Sequence, residues 1–154
     1  MSKTALDIAL HFLKFRARSV FEIEQKLKSK NFSEEEISKT TQVLIKNELL
    51  DDTKFVKMYV KDRNLFKPSG TFLLKMELTN LGLNDNLIED ALANQDEEEL
   101  ARRAIESKHR FRDFKLSADA DWAERQADFQ KKANFLQRRG FNLGVIMKVL
   151  KSSE

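Results

Sequence analysis

Apolar residues recur every three or four positions along this chain, in short runs that each begin at a capping residue. That periodicity predicts helices throughout. The pattern is clearest from Leu50 to Leu83. Phe55, Val56, Tyr59 and Val60 fall on one helical stripe, while Lys54, Lys57, Lys61 and Arg63 point elsewhere. Asp51 and Asp52 open this helix, where carboxylates face the positive end of the helix dipole. After Lys67 and Pro68, Ser69 restarts the chain. Phe72, Leu73, Leu74, Met76 and Leu78 then carry a second helix to a stop at Gly82.

The flanking segments follow the same rules. A first helix is expected from Thr4 to about Arg16, with Leu6, Ile8, Ala9, Phe12, Leu13 and Phe15 buried or partly buried. Ser19 with Glu22 predicts a capping box for a helix carrying Phe21, Ile23 and Leu27. Ser33 with Glu36 predicts another, opening a helix with Ile37, Val43, Leu44 and Ile45. Asn84 or Asp85 caps the next helix, and Asp96 the one after it. A looser basic stretch covers Lys108–Lys115, and two last helices are expected over about Asp121–Arg139 and Asn142–Lys151.

The joints between helices repeat. Leu27, Phe32 and Ile37 are spaced by five, as are Leu78, Leu83 and Ile88, and Leu136, Phe141 and Ile146. Asn31, Gly82 and Gly140 precede the middle residue of each triplet, and these residue types tolerate a left-handed helix end. Ser33, Asn84 and Asn142 follow it, and all are good N-caps. The expected unit is one helix followed by a helix–turn–helix, with a period of about fifty residues. Such units cannot bury a core alone and should stack into an elongated curved array. The expected repeats are residues 1–50, 51–95 and 96–154, in an all-α fold.

Composition agrees. The 154 residues include 4 Gly, 1 Pro and 12 Phe, too few chain breakers for a sheet protein and ample bulk for helical cores. With no Cys there is no disulfide framework, thiolate metal site or cysteine nucleophile. The opening residues lead into an amphipathic segment, so neither a signal peptide nor a membrane span is expected, and a soluble cytosolic protein is the default. The formal net charge of +3 hides an uneven distribution. Residues 84–99 hold seven acids and no Lys or Arg, whereas residues 100–154 hold thirteen Lys/Arg against seven Asp/Glu. Two solvated helix faces would explain this, as would a basic face that meets a polyanion.

No catalytic constellation is visible. His11 and His109 are isolated, Asp51 and Asp52 read as caps before they read as a cation site, and Gly70 stands outside any phosphate loop. Trp122, Phe129 and Leu136, spaced by seven, predict a core stripe rather than a base-stacking platform. The second helices of the corners are poor readers of DNA. One begins with Glu34–Glu36 and another has no basic residue, so both repel phosphate. A helix–turn–helix transcriptional regulator and a purely structural adaptor stay open beside a scaffold that binds a partner.

Four stretches together resemble the RecX family of RecA modulators over nearly the whole chain. Arg16-Ala17-Arg18-Ser19 with Glu22-Ile23 and Leu27 is similar to that family's opening. Leu50-Asp51-Asp52 with Phe55-Val56, Tyr59-Val60 and Arg63 resembles its most specific signature. Gly70, Leu74, Glu77-Leu78 and Gly82-Leu83 resemble the helix after it, and Lys132, Phe135-Leu136 and Arg138-Arg139-Gly140-Phe141 its C-terminal corner. The resemblance implies three stacked three-helix repeats that enter the groove of the RecA–DNA filament. There they lower ATP hydrolysis, strand exchange and co-protease activity and restrain the SOS response. It implies no enzyme and no cofactor. The expected partners are the RecA filament and, by non-specific contact, single- or double-stranded DNA, with the chain a monomer and no membrane involved.

Carried over residue by residue, Asp51, Asp52, Phe55, Tyr59, Gly70, Leu78, Gly140 and Phe141 are expected to be structural. Arg63, Lys67, Arg138 and Arg139 are the candidates for filament contact. One departure concerns Asn64, Leu65 and Phe66, which stand where the family usually continues with basic residues. They point to an apolar contact at that edge.

Overall fold

The computed structural model describes residues 2–152; Met1, Ser153 and Glu154, at the outer ends of the first and third expected repeats, lie outside them. Ten helices occupy the described residues, and no strand occurs among them. They are α1 (Ala5–Leu13), α2 (Val20–Ser29), α3 (Glu34–Lys46), α4 (Asp52–Phe66) and α5 (Thr71–Asn80). Then follow α6 (Asp85–Leu92), α7 (Glu97–Ser107), α8 (His109–Arg112), α9 (Trp122–Arg138) and α10 (Leu143–Lys151). The fold is all-α.

Most helix starts are determined by the cap that the sequence places there. Thr4 and Asp7 form a reciprocal capping box on α1, and Ser19 and Glu22 form one on α2. Asn84 caps α6 through Asn86 N–H at 2.8 Å, Asp121 caps α9 through Glu124 N–H at 2.8 Å, and Asn142 caps α10 through Val145 N–H at 2.9 Å. Ser33 is a correction. Its hydroxyl accepts from Glu36 N–H at 3.1 Å, but the Glu36 carboxylate returns to that hydroxyl and not to the backbone, so the box is half-made.

The chain forms two compact units. Residues 1–59 and 77–91 make the first; residues 60–76 and 92–154 make the second. In the first, α1, α2 and α3 pack on one another around Ala9, Ile23, Leu27, Leu44 and Leu50, with Phe12, Leu13 and Phe32 against them. Phe55, Val56, Leu78, Leu83 and Ile88 are also buried there. In the second, α7, α9 and α10 pack together around Leu100, Ala104, Phe111, Phe135, Leu136 and Phe141, and α8 lies against α7.

The three corners match the expected triplets. Asn31, Gly82 and Gly140 have φ of 66°, 77° and 86°, the left-handed conformation that ends a helix. At each, two backbone bonds of a Schellman motif form. Phe32 N–H reaches Leu27 O at 3.3 Å, Leu83 N–H reaches Leu78 O at 3.2 Å, and Phe141 N–H reaches Leu136 O at 3.1 Å. Glu48 (φ 61°) closes α3 in the same way, without a glycine or asparagine to signal it.

Which apolar residues are buried departs from expectation. Trp122 is 77% exposed, so the stripe at spacing seven begins only at Phe129 and Leu136. It lies in the first turn of α9, next to the cap Asp121. Phe15 is 71% exposed because α1 ends at Leu13 and leaves it outside the helical stripe. Leu6, Phe21, Val43, Ile45, Phe72 and Met76 are exposed as well. A four-residue helix, α8, occupies the stretch expected to be looser, and it buries Phe111.

Candidate protein and nucleic-acid interface

Several of the residues singled out by sequence lie at two joints of similar construction. At each, a Schellman corner docks on the start of an earlier helix. In the first unit, Ser19 Oγ, fully buried at the start of α2, donates to Leu81 O at 2.6 Å. The same hydroxyl accepts from Glu22 N–H, so one side chain caps its own helix and holds the corner. A Cβ on Gly82 would collide with the side chain of Phe21.

In the second unit the receiving helix is α5 and the corner is Arg139–Phe141. Gly70 N–H donates to Arg139 O at 2.7 Å. A Cβ on Gly70 would strike the carbonyl of Gly140, and one on Gly140 would strike Leu73. Glycine is required on both sides because two main chains meet here. Thr71 N–H, orphaned at the start of α5, is taken by Glu97 Oε1 from α7 at 2.8 Å.

This second joint collects two of the candidate arginines. Arg63 donates to Ser69 Oγ at 2.7 Å, and Ser69 is fully buried and donates in turn to Lys67 O. Arg139 donates to Pro68 O at 2.9 Å, and its guanidinium lies 4.9 Å from the centroid of the Phe135 ring. Burial first, then the neighbouring charge of Arg63, hold the Arg139 guanidinium below its ordinary pKa. Both arginines are half-buried. Lys67 and Arg138 beside them are exposed, as are Leu65 and Phe66, the latter at 81%. Leu65 and Phe66 thus stand in the open, while Asn64 turns inward to pair with the Gln95 side-chain amide at 3.0 Å.

The signature residues make the following contacts. Asp51 caps α4 through Lys54 N–H at 3.2 Å. Asp52 leaves its own helix and accepts from Val20 N–H at 2.9 Å, satisfying a free donor in the first turn of α2. Burial pushes the Asp52 carboxyl above its usual range, a shift that the Val20 bond partly offsets and the nearby Asp51 reinforces. Phe55 stacks on Tyr59 at 6.0 Å, and Tyr59 donates to Glu77 at 2.7 Å. Leu78 and Phe141 are core residues. Sequence reasoning missed the second role of Ser19, the buried Ser69 and the Glu97 cap. Their places are the one signal that pointed to the two serines, Ser19 directly before α2 and Ser69 two residues before α5.

The arrangement ties helix ends together through backbone and side-chain hydrogen bonds. No cluster of three or more His, Asp or Glu able to hold a metal ion occurs among the described residues. No described helix is long and apolar enough to cross a membrane. The fold and the joints define an all-helical protein in which the helix–turn–helix corner recurs.

Residues 5–42 match the RecX first three-helix domain. The chain is 36% identical over 148 residues to the regulatory protein RecX of Chlorobaculum tepidum, covering 96% of this chain and 87% of that one. It is 32% identical to the regulatory protein RecX of Legionella pneumophila strain Corby, covering 96% and 93%. The crystal structure of RecX from Lactobacillus salivarius has the same fold, with a TM-score of 0.75 at 24% identity over 96% of this chain and 93% of that one. The chain belongs to the RecX family of regulatory proteins.

Proposed function

We propose that this chain binds the RecA–DNA filament and lowers its ATP hydrolysis, strand exchange and co-protease activity, restraining recombination and the SOS response in the cytoplasm. The observation that carries this is likeness along nearly the whole chain to regulatory proteins of the RecX family. We assign it three three-helix repeats, residues 1–50, 51–95 and 96–154, in a chain that acts as a monomer. Several weak contacts with successive filament subunits would then add through multivalency.

Exposure divides the four candidate cations. Lys67 and Arg138 are exposed and suit direct contact with the filament. Arg63 and Arg139 spend donors on Ser69 and Pro68, which suits positioning residues that hold the joint beneath. The acidic run from Asp85 to Glu99 suits a basic protein surface, and the basic edge suits DNA phosphate.

RecA ATPase on single-stranded DNA, titrated with this protein, is the test. Inhibition below one molecule per RecA protomer is expected, and Lys67→Glu with Arg138→Glu should relieve it without lowering the melting temperature. No inhibition by excess folded protein would remove the proposal. A preference for one duplex sequence would favour the transcriptional-regulator alternative instead.

A further inference from the structure

In the first unit, α1, the turn after it and the far end of α2 line a cavity of about 470 Å3. Every charged residue lining it is basic: Lys3, Arg18, Lys26 and Lys30, with His11 beside them. Phe12 and Phe15 supply aromatic surface. The two rings are used differently. Phe12 is partly buried and carries the Arg18 guanidinium 3.6 Å from its centroid and Lys26 Nζ at 5.1 Å. Arg18 is anchored further by Glu22 at 3.5 Å and by Phe12 O at 3.3 Å. Internal packing therefore accounts for Phe12 and Arg18.

It does not account for Phe15 or Lys30, and it gives Lys26 an aromatic neighbour but no anionic one. Phe15 presents a ring 71% exposed, held edge-on by His11 at 5.1 Å. Among the described residues, neither Lys26 nor Lys30 forms an ion pair within the chain. Like charges gathered around a cavity with no acid in its lining repel one another, and a bound anion removes that repulsion. An open phenyl ring beside them offers a stacking face to any base. The volume lies in the range of about 300–1,000 Å3 typical of small-ligand sites.

We propose that this cavity takes one nucleotide of single-stranded DNA, its base on Phe15 and the flanking phosphates on Lys26 and Lys30. The site rests on the functional reading only in that both place this chain on nucleic acid. Naked oligonucleotide tests it without RecA, so the two can fail separately.

Fluorescence anisotropy of a short labelled oligo(dT) with the full chain, at two salt concentrations, is the measurement. Phe15→Ala should weaken binding about five-fold or more, and Phe15→Trp should restore it. Lys26→Gln with Lys30→Gln should weaken binding and flatten the slope of log affinity against log salt by about 1.4, the value for two phosphates of a single strand. A duplex should bind with no dependence on Phe15. Wild-type binding that survives both changes in folded protein would overturn the proposal, as would no binding at low salt. Equal competition by free dTTP would assign the cavity to a mononucleotide, and equal competition by poly-glutamate to an acidic peptide; either overturns it. If Phe15→Ala fails to fold, Phe15→Trp and the lysine pair decide alone.

Discussion

At the scale of the residue, Ser19 and Asp52 show how much one small polar side chain does here. Ser19 Oγ is buried, accepts from Glu22 N–H and donates to Leu81 O. Ser19→Ala loses a cap and leaves a buried carbonyl without its donor. A cost of about 2 kcal/mol is expected from urea denaturation, above the ~1 kcal/mol of an ordinary cap. Asp52 holds Val20 N–H from a carboxyl whose pKa burial has raised. Its contribution to stability is full below the unfolded carboxylate value of about 3.9 and is lost as pH rises through the raised folded value. Asp52→Asn keeps an acceptor without the charge. Its stability relative to wild type should therefore increase between about pH 4 and pH 7, while Asp52→Ala should be weaker than wild type throughout.

At the scale of the element, the joints are built from helix ends. Gly70 and Gly140 approach so closely that a methyl on either meets backbone atoms, which cannot rotate away. Gly140→Ala adds the strain of a left-handed residue, so it should cost more than a left-handed position in open space, about 2 kcal/mol or more in thermal unfolding. Gly70→Ala should cost a similar amount with no φ strain, which separates the close approach from the conformation. Caps and corners are legible in the sequence because their partners lie within five residues, as with Ser19 and Glu22, Asn142 and Val145, or Leu136 and Phe141. What is not legible is long-range. Nothing near Asp52 indicates Val20, nothing near Thr71 indicates Glu97, and the heptad spacing of Trp122 continues the core stripe although its first turn lies outside the core. The candidate cations are legible as basic residues in the right stretches, but their exposure is not. Arg139 folds onto Pro68 and Phe135 while Arg138, one residue earlier, faces solvent.

At the scale of the whole molecule, a small net charge conceals two adjoining stretches of opposite sign, an acidic run at residues 84–99 and a basic remainder after it. If the basic part meets phosphate, inhibition of the filament should weaken steeply as salt rises from about 50 to 200 mM, and Lys67→Gln with Arg138→Gln should flatten that dependence. The joints carry a further consequence. Each pairs a left-handed corner, of the kind at Asn31, Gly82 and Gly140, with a small residue, Ser19 or Gly70, at the start of an earlier helix, and residues 1–50 and 51–95 each carry one of both. A duplicated segment of this gene would arrive with both halves of its own docking surface. The chain can therefore lengthen by copying without first evolving a new interface.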